Sequence, residues 1–309
     1  MIDKIKNKIS DLIFAHSIKM HKTSMFWNQA KVYTKHWNYC KKNYTNSFKK
    51  SNFIDTLVEE FRQKGFTYFH ADENKSLASS IYKKIKHKEK SEKYVWKEIS
   101  PNIKSYFKNP FNDFHEIERL FKGKLGNILK NIFQCDFNIY FTTMQYSKRT
   151  QKNPSGSQLW HNDGGPGTCI NVMFYISEAS NDMGAIEILP WKKSEILLIK
   201  RRHILREHLK KFGKFNKEEM RKLSTDFYKD QIDKNYKNFI ERPVGGPGLV
   251  TIFSNNTIHK GGFPDIGKER YVCIFHCYPS FKPADFNDYK ERELNPNFNY
   301  PRNPKKDLR

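Results

Sequence analysis

The sequence predicts a mainly β domain with flanking helices, an antiparallel barrel or jelly roll carrying helices on its outside. Two observations lead there. Helical periodicity dominates the chain before residue 134. Short segments rich in β-branched and aromatic residues then take over, interrupted once by helical sequence at 192–241. A doubly wound sheet needs strands and helices in strict alternation, and neither GxGxxG nor GxxxxGK[ST] occurs.

The elements follow in order. Ile2, Ile5, Ile9, Leu12 and Ile13 fall at helical spacing among lysines, giving a basic amphipathic helix within an N-terminal helical extension, residues 1–50. Its apolar stripe is expected to pack on its own domain rather than on a membrane surface. The main domain spans 51–282. It opens with a helix carrying Phe53, Leu57 and Phe61, with Ile54 and Val58 beside them and Gly65 as the C-cap. A short strand at 66–69 follows, then a helix with Leu77, Ile81 and Ile85 on one face. A third helix is predicted over 114–133 from Ile117, Leu120, Phe121, Leu125, Ile128, Leu129 and Ile132. Strands are predicted at 137–146, 158–163, 169–177, 185–189, 249–253 and 269–278, separated by Gly- and Pro-containing loops. The tail, 283–309, is polar, punctuated by Pro283, Pro296, Pro301 and Pro304, and reads as irregular.

Composition narrows the class. Of 309 residues 37% are hydrophobic and 15% aromatic, too many for wholesale disorder. No apolar run is long enough to span a bilayer, and the opening residues lack the apolar stretch of a signal peptide. Five cysteines, with no zinc-type CxxC, fit reduced thiols and a cytoplasmic location. Lys and Arg number 56 against 33 Asp and Glu, a net charge of +23. Either an anionic partner or drift in composition accounts for it, since the charge is spread along the chain. The oligomeric state is not legible.

The chemistry concentrates in QLWHND at 158–163. His161 and Asp163 are two apart, so on a strand their side chains share a face. A distant second histidine turns them into a 2-His-1-carboxylate facial triad, which leaves open positions on Fe(II). His259, in SNNTIHKGG just after an apolar strand, is the candidate. Arg270 opens the next strand, where a guanidinium can grip the far carboxylate of 2-oxoglutarate bidentately. His276 shares strand parity with Arg270 and reads as a satisfied interior histidine. Cys273 and Cys277 read as packing, and His203 and His208, five apart, do not share a helix face as zinc ligands would.

On these residues the chain resembles the phytanoyl-CoA dioxygenase-like branch of the Fe(II)/2-oxoglutarate oxygenases, over residues 52–280. The resemblance includes the entry DTLVEEFRQKGF at 55–66, the pair His161 and Asp163, NDMGAIEILP at 181–190, His259 and Arg270. PWKKS at 190–194 departs from the family's PGSHK, which puts that loop's substrate contacts in doubt. The resemblance implies a double-stranded β-helix, iron on His161, Asp163 and His259, and 2-oxoglutarate on Arg270 with Thr143 and Asn171 nearby. Gly261 would let the co-substrate approach the backbone. It further implies O2 as co-substrate, hydroxylation of a small-molecule substrate, and succinate and CO2 as co-products.

Two other readings remain open. One is an AlkB-like nucleic-acid oxygenase, suggested by charge, although such proteins place a second arginine soon after the first and here the next after Arg270 is Arg292. Only weak, nonspecific nucleic-acid binding is expected. The other is a non-catalytic jelly-roll binding module. The basic segment 192–241 is expected to lie at the mouth as a lid, with Lys200, Arg201, Arg202 and Arg206 toward an anionic substrate or, equally, toward solvent. Ile196, Leu197, Leu198, Ile204, Leu205 and Leu209 would form its apolar underside.

Overall fold

The computed structural model describes residues 24–27, 31–92, 95–163, 166–213 and 216–286; the predicted helix at 2–13 and the tail beyond 286 lie outside them. Helix α1, Lys31–Lys42, buries His36, Trp37 and Cys40. Its Trp37 indole donates to the Phe133 carbonyl at 2.6 Å, so this helix shares the core of the main domain. In α2, Asn52–Lys64, the Ser51 hydroxyl accepts from the Ile54 amide and Gly65 ends the helix at φ +79°. Strand β1, Phe66–Phe69, and helix α3, Asp72–Ser91, follow as expected.

The next stretch differs from expectation. A hairpin of β2, Trp96–Ser100, and β3, Ile103–Tyr106, turns at Pro101-Asn102. After a short helix α4, Pro110–Asp113, the single helix expected over 114–133 is two pieces: α5, Ile117–Lys122, and α6, Lys124–Phe133. Gly123 breaks the run. Gly126 lies so close to the Phe121 carbonyl that a Cβ would overlap it.

Strands β4, Asp136–Lys148, and β5, Ile170–Tyr175, sit where predicted, but β6 is only Glu187–Ile188. Helices α7, Trp191–Phe212, and α8, Lys217–Gln231, then form the expected insertion. Strands β7, Val250–Ser254, β8, His259–Lys260, and β9, Glu269–Ser280, complete the order.

All pairings are antiparallel. The larger sheet runs β1-β7-β5-β9-β4-β3-β2. The smaller sheet pairs β6 with β8 and is widened by single bridges from His161 to His259 and from Ile188 to Glu241. From β4 to β9 the chain thus passes repeatedly between two facing sheets, which is the double-stranded β-helix, or jelly roll. The segment expected as a strand at 158–163 contributes only that one bridge, at His161.

Strand alternation sorts the core into two layers. Along β9, Val272 points between the sheets to join Phe66, Met173, Tyr175, Ile186 and Phe253. Its neighbour Phe275 points outward under the helices, 4.9 Å edge-on from Phe121. The five cysteines are buried and none forms a disulfide. Among the described residues no helix is long and apolar enough to cross a membrane.

Gly65 joins the helical layer to the end of β7 and the loop that leads to β8. Its carbonyl accepts from the Ser254 amide at 2.9 Å and the Thr257 hydroxyl at 3.1 Å. A Cβ there would meet the Thr257 hydroxyl at 2.6 Å in a left-handed backbone. Gly65→Ala should therefore cost about 2 kcal/mol in urea unfolding; a wild-type midpoint would contradict this placement.

Candidate metal centre

His161 follows one turn of 3-10 helix, Gly156–Gln158. Its backbone exchanges two hydrogen bonds with His259, at 2.9 and 2.8 Å. That bridge sets the two imidazoles side by side, ring centroids 4.4 Å apart. Two residues on, the Asp163 amide donates to the Asn255 carbonyl at 2.9 Å, which turns its carboxylate toward both rings. His161 and Asp163 converge for this reason and not because a strand carries both, as spacing alone predicts.

Each imidazole is oriented by the backbone. His161 Nδ1 lies 2.7 Å from the Leu159 carbonyl and His259 Nδ1 lies 2.8 Å from the Thr257 carbonyl. A carbonyl only accepts, so each Nδ1 carries the proton and each Nε2 presents a lone pair. Those Nε2 atoms are 3.7 and 3.8 Å from the two Asp163 oxygens. Ligand atoms of the three residues all lie within 4.8 Å of one another. A first-row ion with bonds of about 2.1 Å can be gripped by such a set after small adjustments. Asn171 donates its amide N–H to Asp163 Oδ2 and fixes the carboxylate from behind. Burial pushes the His259 imidazole down to about 4. Burial also pushes the Asp163 carboxyl up, but His259, His161, His276 and the Asn171 amide outweigh it and leave it below the ordinary carboxylate value.

The triad lines a cavity of about 270 Å³ between the sheets. Arg270 lines it too, although only 2% exposed. Its guanidinium donates to the Gly184 carbonyl and, at 3.2 Å, to the Ser147 hydroxyl, while Nε finds no partner. Among the described residues no carboxylate bridges it. Gly261 passes between Ser157 and Arg270, where a Cβ would be 3.2 Å from the Ser157 carbonyl. Thr143 reaches the cavity and shares a 2.8 Å hydrogen bond with Ser105. His276 lines the wall beside Phe141. The structure thus brings together all six residues singled out in the sequence: His161, Asp163, His259, Arg270, Thr143 and Asn171.

Sequence reasoning missed the cavity's outer wall. Ile99 and Ser105 come from the β2–β3 hairpin, whose signal is the alternation on either side of Pro101-Asn102. Ser147 and Gly184 left no local signal, because strand register carries Ser147 to Arg270 and a turn before β6 carries Gly184 there. The expected lid is corrected. No residue of 192–241 lines the cavity among the described residues. Arg201 donates to the Ser224 hydroxyl at 2.7 Å, and the Arg202 guanidinium stacks 4.3 Å from the Trp27 ring. Of the apolar underside, Leu197, Leu198 and Leu205 are buried, within the helical layer.

No family model matches the chain, and no curated protein does. Solved structures similar to it include the non-haem α-ketoglutarate-dependent epimerase SnoN from nogalamycin biosynthesis, at 10% identity over 74% of this chain and 83% of that one, TM-score 0.49. The α-ketoglutarate-dependent carbocyclase SnoK from nogalamycin biosynthesis matches at 11%, over 75% and 87%, TM-score 0.49. EctD from S. alaskensis, with bound Fe, matches at 13%, over 78% and 82%, TM-score 0.49. At these scores nothing about activity is carried over, and the site is read from its own residues.

His259 supplies a pH test. Its folded value is about 4 and its unfolded value about 6.5, so between these the unfolded chain binds the extra proton. Stability of the metal-free protein should fall as pH drops through this window, by about 3 kcal/mol from this group. In His259→Gln the slope between pH 6.5 and 4 should flatten; an unchanged slope would contradict the burial described.

Proposed function

We propose that the chain is an Fe(II)- and 2-oxoglutarate-dependent oxygenase that hydroxylates a small molecule. One observation carries this reading: a buried guanidinium without a carboxylate partner lines the same cavity as a His-Asp-His set. A buried charge is costly unless something pairs with it. A ligand bearing one carboxylate for Arg270 and further oxygens for a metal meets both needs, and 2-oxoglutarate is such a ligand.

His161, Asp163 and His259 would hold the iron, the two imidazoles through Nε2. When bound, the metal with 2-oxoglutarate and O2 supplies the oxidising power to hydroxylate a C–H bond, with succinate and CO2 released. The protein's own part is placement. Asn171 holds the Asp163 carboxylate, leaving Oδ1 free to turn to the metal. Arg270, steadied by its bond to the Ser147 hydroxyl, would hold the distal carboxylate of the co-substrate, with Thr143 and Ser105 along the wall. Phe141, Met173, Ile186, Phe253 and Ile274 keep the cavity apolar and dry.

The substrate's charge needs revising. Among the described residues Arg270 is the one Lys or Arg side chain lining the cavity, and the 2-oxoglutarate reading assigns it to co-substrate. The insertion's basic residues lie elsewhere, so an anionic substrate loses the support that composition lent it. We read the catalytic unit as 51–282, acting in the cytoplasm on a small molecule and without a specific nucleic-acid partner.

With Fe(II), ascorbate and 2-oxoglutarate, the purified protein should release succinate even without its substrate. His161→Ala, Asp163→Ala and His259→Ala should each abolish release. Arg270→Ala should raise the KM for 2-oxoglutarate by about 30-fold or more, the cost of leaving a buried carboxylate unpaired. Full turnover by Asp163→Ala would overturn the metal assignment.

A further inference from the structure

The insertion touches the centre without entering the cavity. Tyr228 on α8 is 1% exposed, and its hydroxyl donates to Asn162 Oδ1 at 3.1 Å. Asn162 is the residue between the two ligands His161 and Asp163. At the other end, Ser194 on α7 is fully buried. Its hydroxyl accepts from the Ile258 amide at 3.0 Å and donates to the Leu189 carbonyl at 2.6 Å. Ile258 immediately precedes the ligand His259. The Leu189 amide already donates to the Ile258 carbonyl at 2.9 Å, so Ser194 closes the strand ladder where β6 ends and α7 begins.

Both contacts stand where the sheet itself gives out. Among the described residues the backbone from His161 to Asp163 is bonded along one edge only, to His259 and Asn255. Tyr228 holds its other side. A tyrosine hydroxyl is buried at a cost unless it has a partner, so the bond to Asn162 is a defined one. The two helices are fastened to each other by the Arg201–Ser224 bond and by Leu205 against Met220. A shift of one helix would therefore move both ligand segments.

We propose that the helical insertion is a positioning scaffold for the metal ligands, acting through Tyr228 on Asn162 and through Ser194 on Ile258. This rests on the reading of His161, Asp163 and His259 as metal ligands. Neither Tyr228 nor Ser194 lines the cavity, so both act through the ligands and are positioning residues. The insertion's role is then orientation of the imidazoles and carboxylate, the kind of outer contact whose loss lowers metal affinity by about 10- to 100-fold.

The test is titration of the metal-free full chain with Co(II), followed by visible absorption, with melting temperature recorded in parallel. Wild type should bind Co(II), and Tyr228→Phe, which keeps the ring, should bind about tenfold more weakly with an altered absorption band. Ser194→Ala should do the same. Asn162→Ala removes the Tyr228 bond from its exposed side and should match Tyr228→Phe, and the double variant should lose no more than either single one. Phe212→Ala, at the exposed end of α7, should bind as wild type. A folded Tyr228→Phe or Asn162→Ala with wild-type affinity and spectrum would overturn the proposal. If wild type itself bound no Co(II), the metal reading would fall and the scaffold with it.

Discussion

Two backbone hydrogen bonds between His161 and His259 set the pair of imidazoles around which the centre is arranged. Neither residue belongs to a long strand. Their bridge joins the edge of the smaller sheet to the loop leaving the 3-10 turn, and it brings residues far apart in sequence to ring contact. Each imidazole then repeats one local device, an Nδ1 hydrogen bond to the carbonyl two residues earlier. Both Nε2 atoms face the same point, where Asp163 arrives because its amide is held by Asn255. The loop from Ser254 to Thr257 anchors this assembly. Asn256 donates to the Met25 and Trp27 carbonyls and Thr257 to Gly65, so these segments and Ser194 of α7 support the His259 side while Tyr228 of α8 reaches the His161–Asp163 side.

Against that oriented pair of imidazoles stands a buried cation. Strand register places Arg270 opposite Ser147, and its guanidinium also donates to the Gly184 carbonyl. Burial pushes the guanidinium's affinity for its proton down, with Tyr175 acting in the opposite sense. A guanidinium in this position keeps its charge, so the cavity carries one uncompensated positive charge beside a carboxylate committed to the imidazoles. The combination selects for a ligand with a free carboxylate more strongly than cavity shape does.

The sequence showed the chemistry better than the path that assembles it. His161, Asp163, His259 and Arg270 are visible because their residue types and order restrict the chemistry they can perform. The reason first suggested for the His161–Asp163 pair, strand parity, does not operate, since local spacing cannot distinguish a strand from a turn bridged at one residue. The run at 185–189 is buried and apolar like a strand, yet only Glu187–Ile188 pair there. The β2–β3 hairpin was hidden in lysine-rich sequence whose outer face is solvent. The insertion at 192–241 was legible as helix from its periodicity. Its lysines and arginines could not show which way it faces, because that follows from Tyr228 and Ser194, two residues with no distinguishing local pattern.

The central claim is that one cavity holds a metal on three protein ligands and a dicarboxylate on Arg270. Anomalous diffraction from crystals grown without oxygen in the presence of Fe(II) and 2-oxoglutarate tests it most directly. The account predicts an iron peak bounded by His161 Nε2, His259 Nε2 and the Asp163 carboxylate, with the far carboxylate of 2-oxoglutarate against the Arg270 guanidinium. Iron bound elsewhere, or 2-oxoglutarate lying away from Arg270, would contradict it.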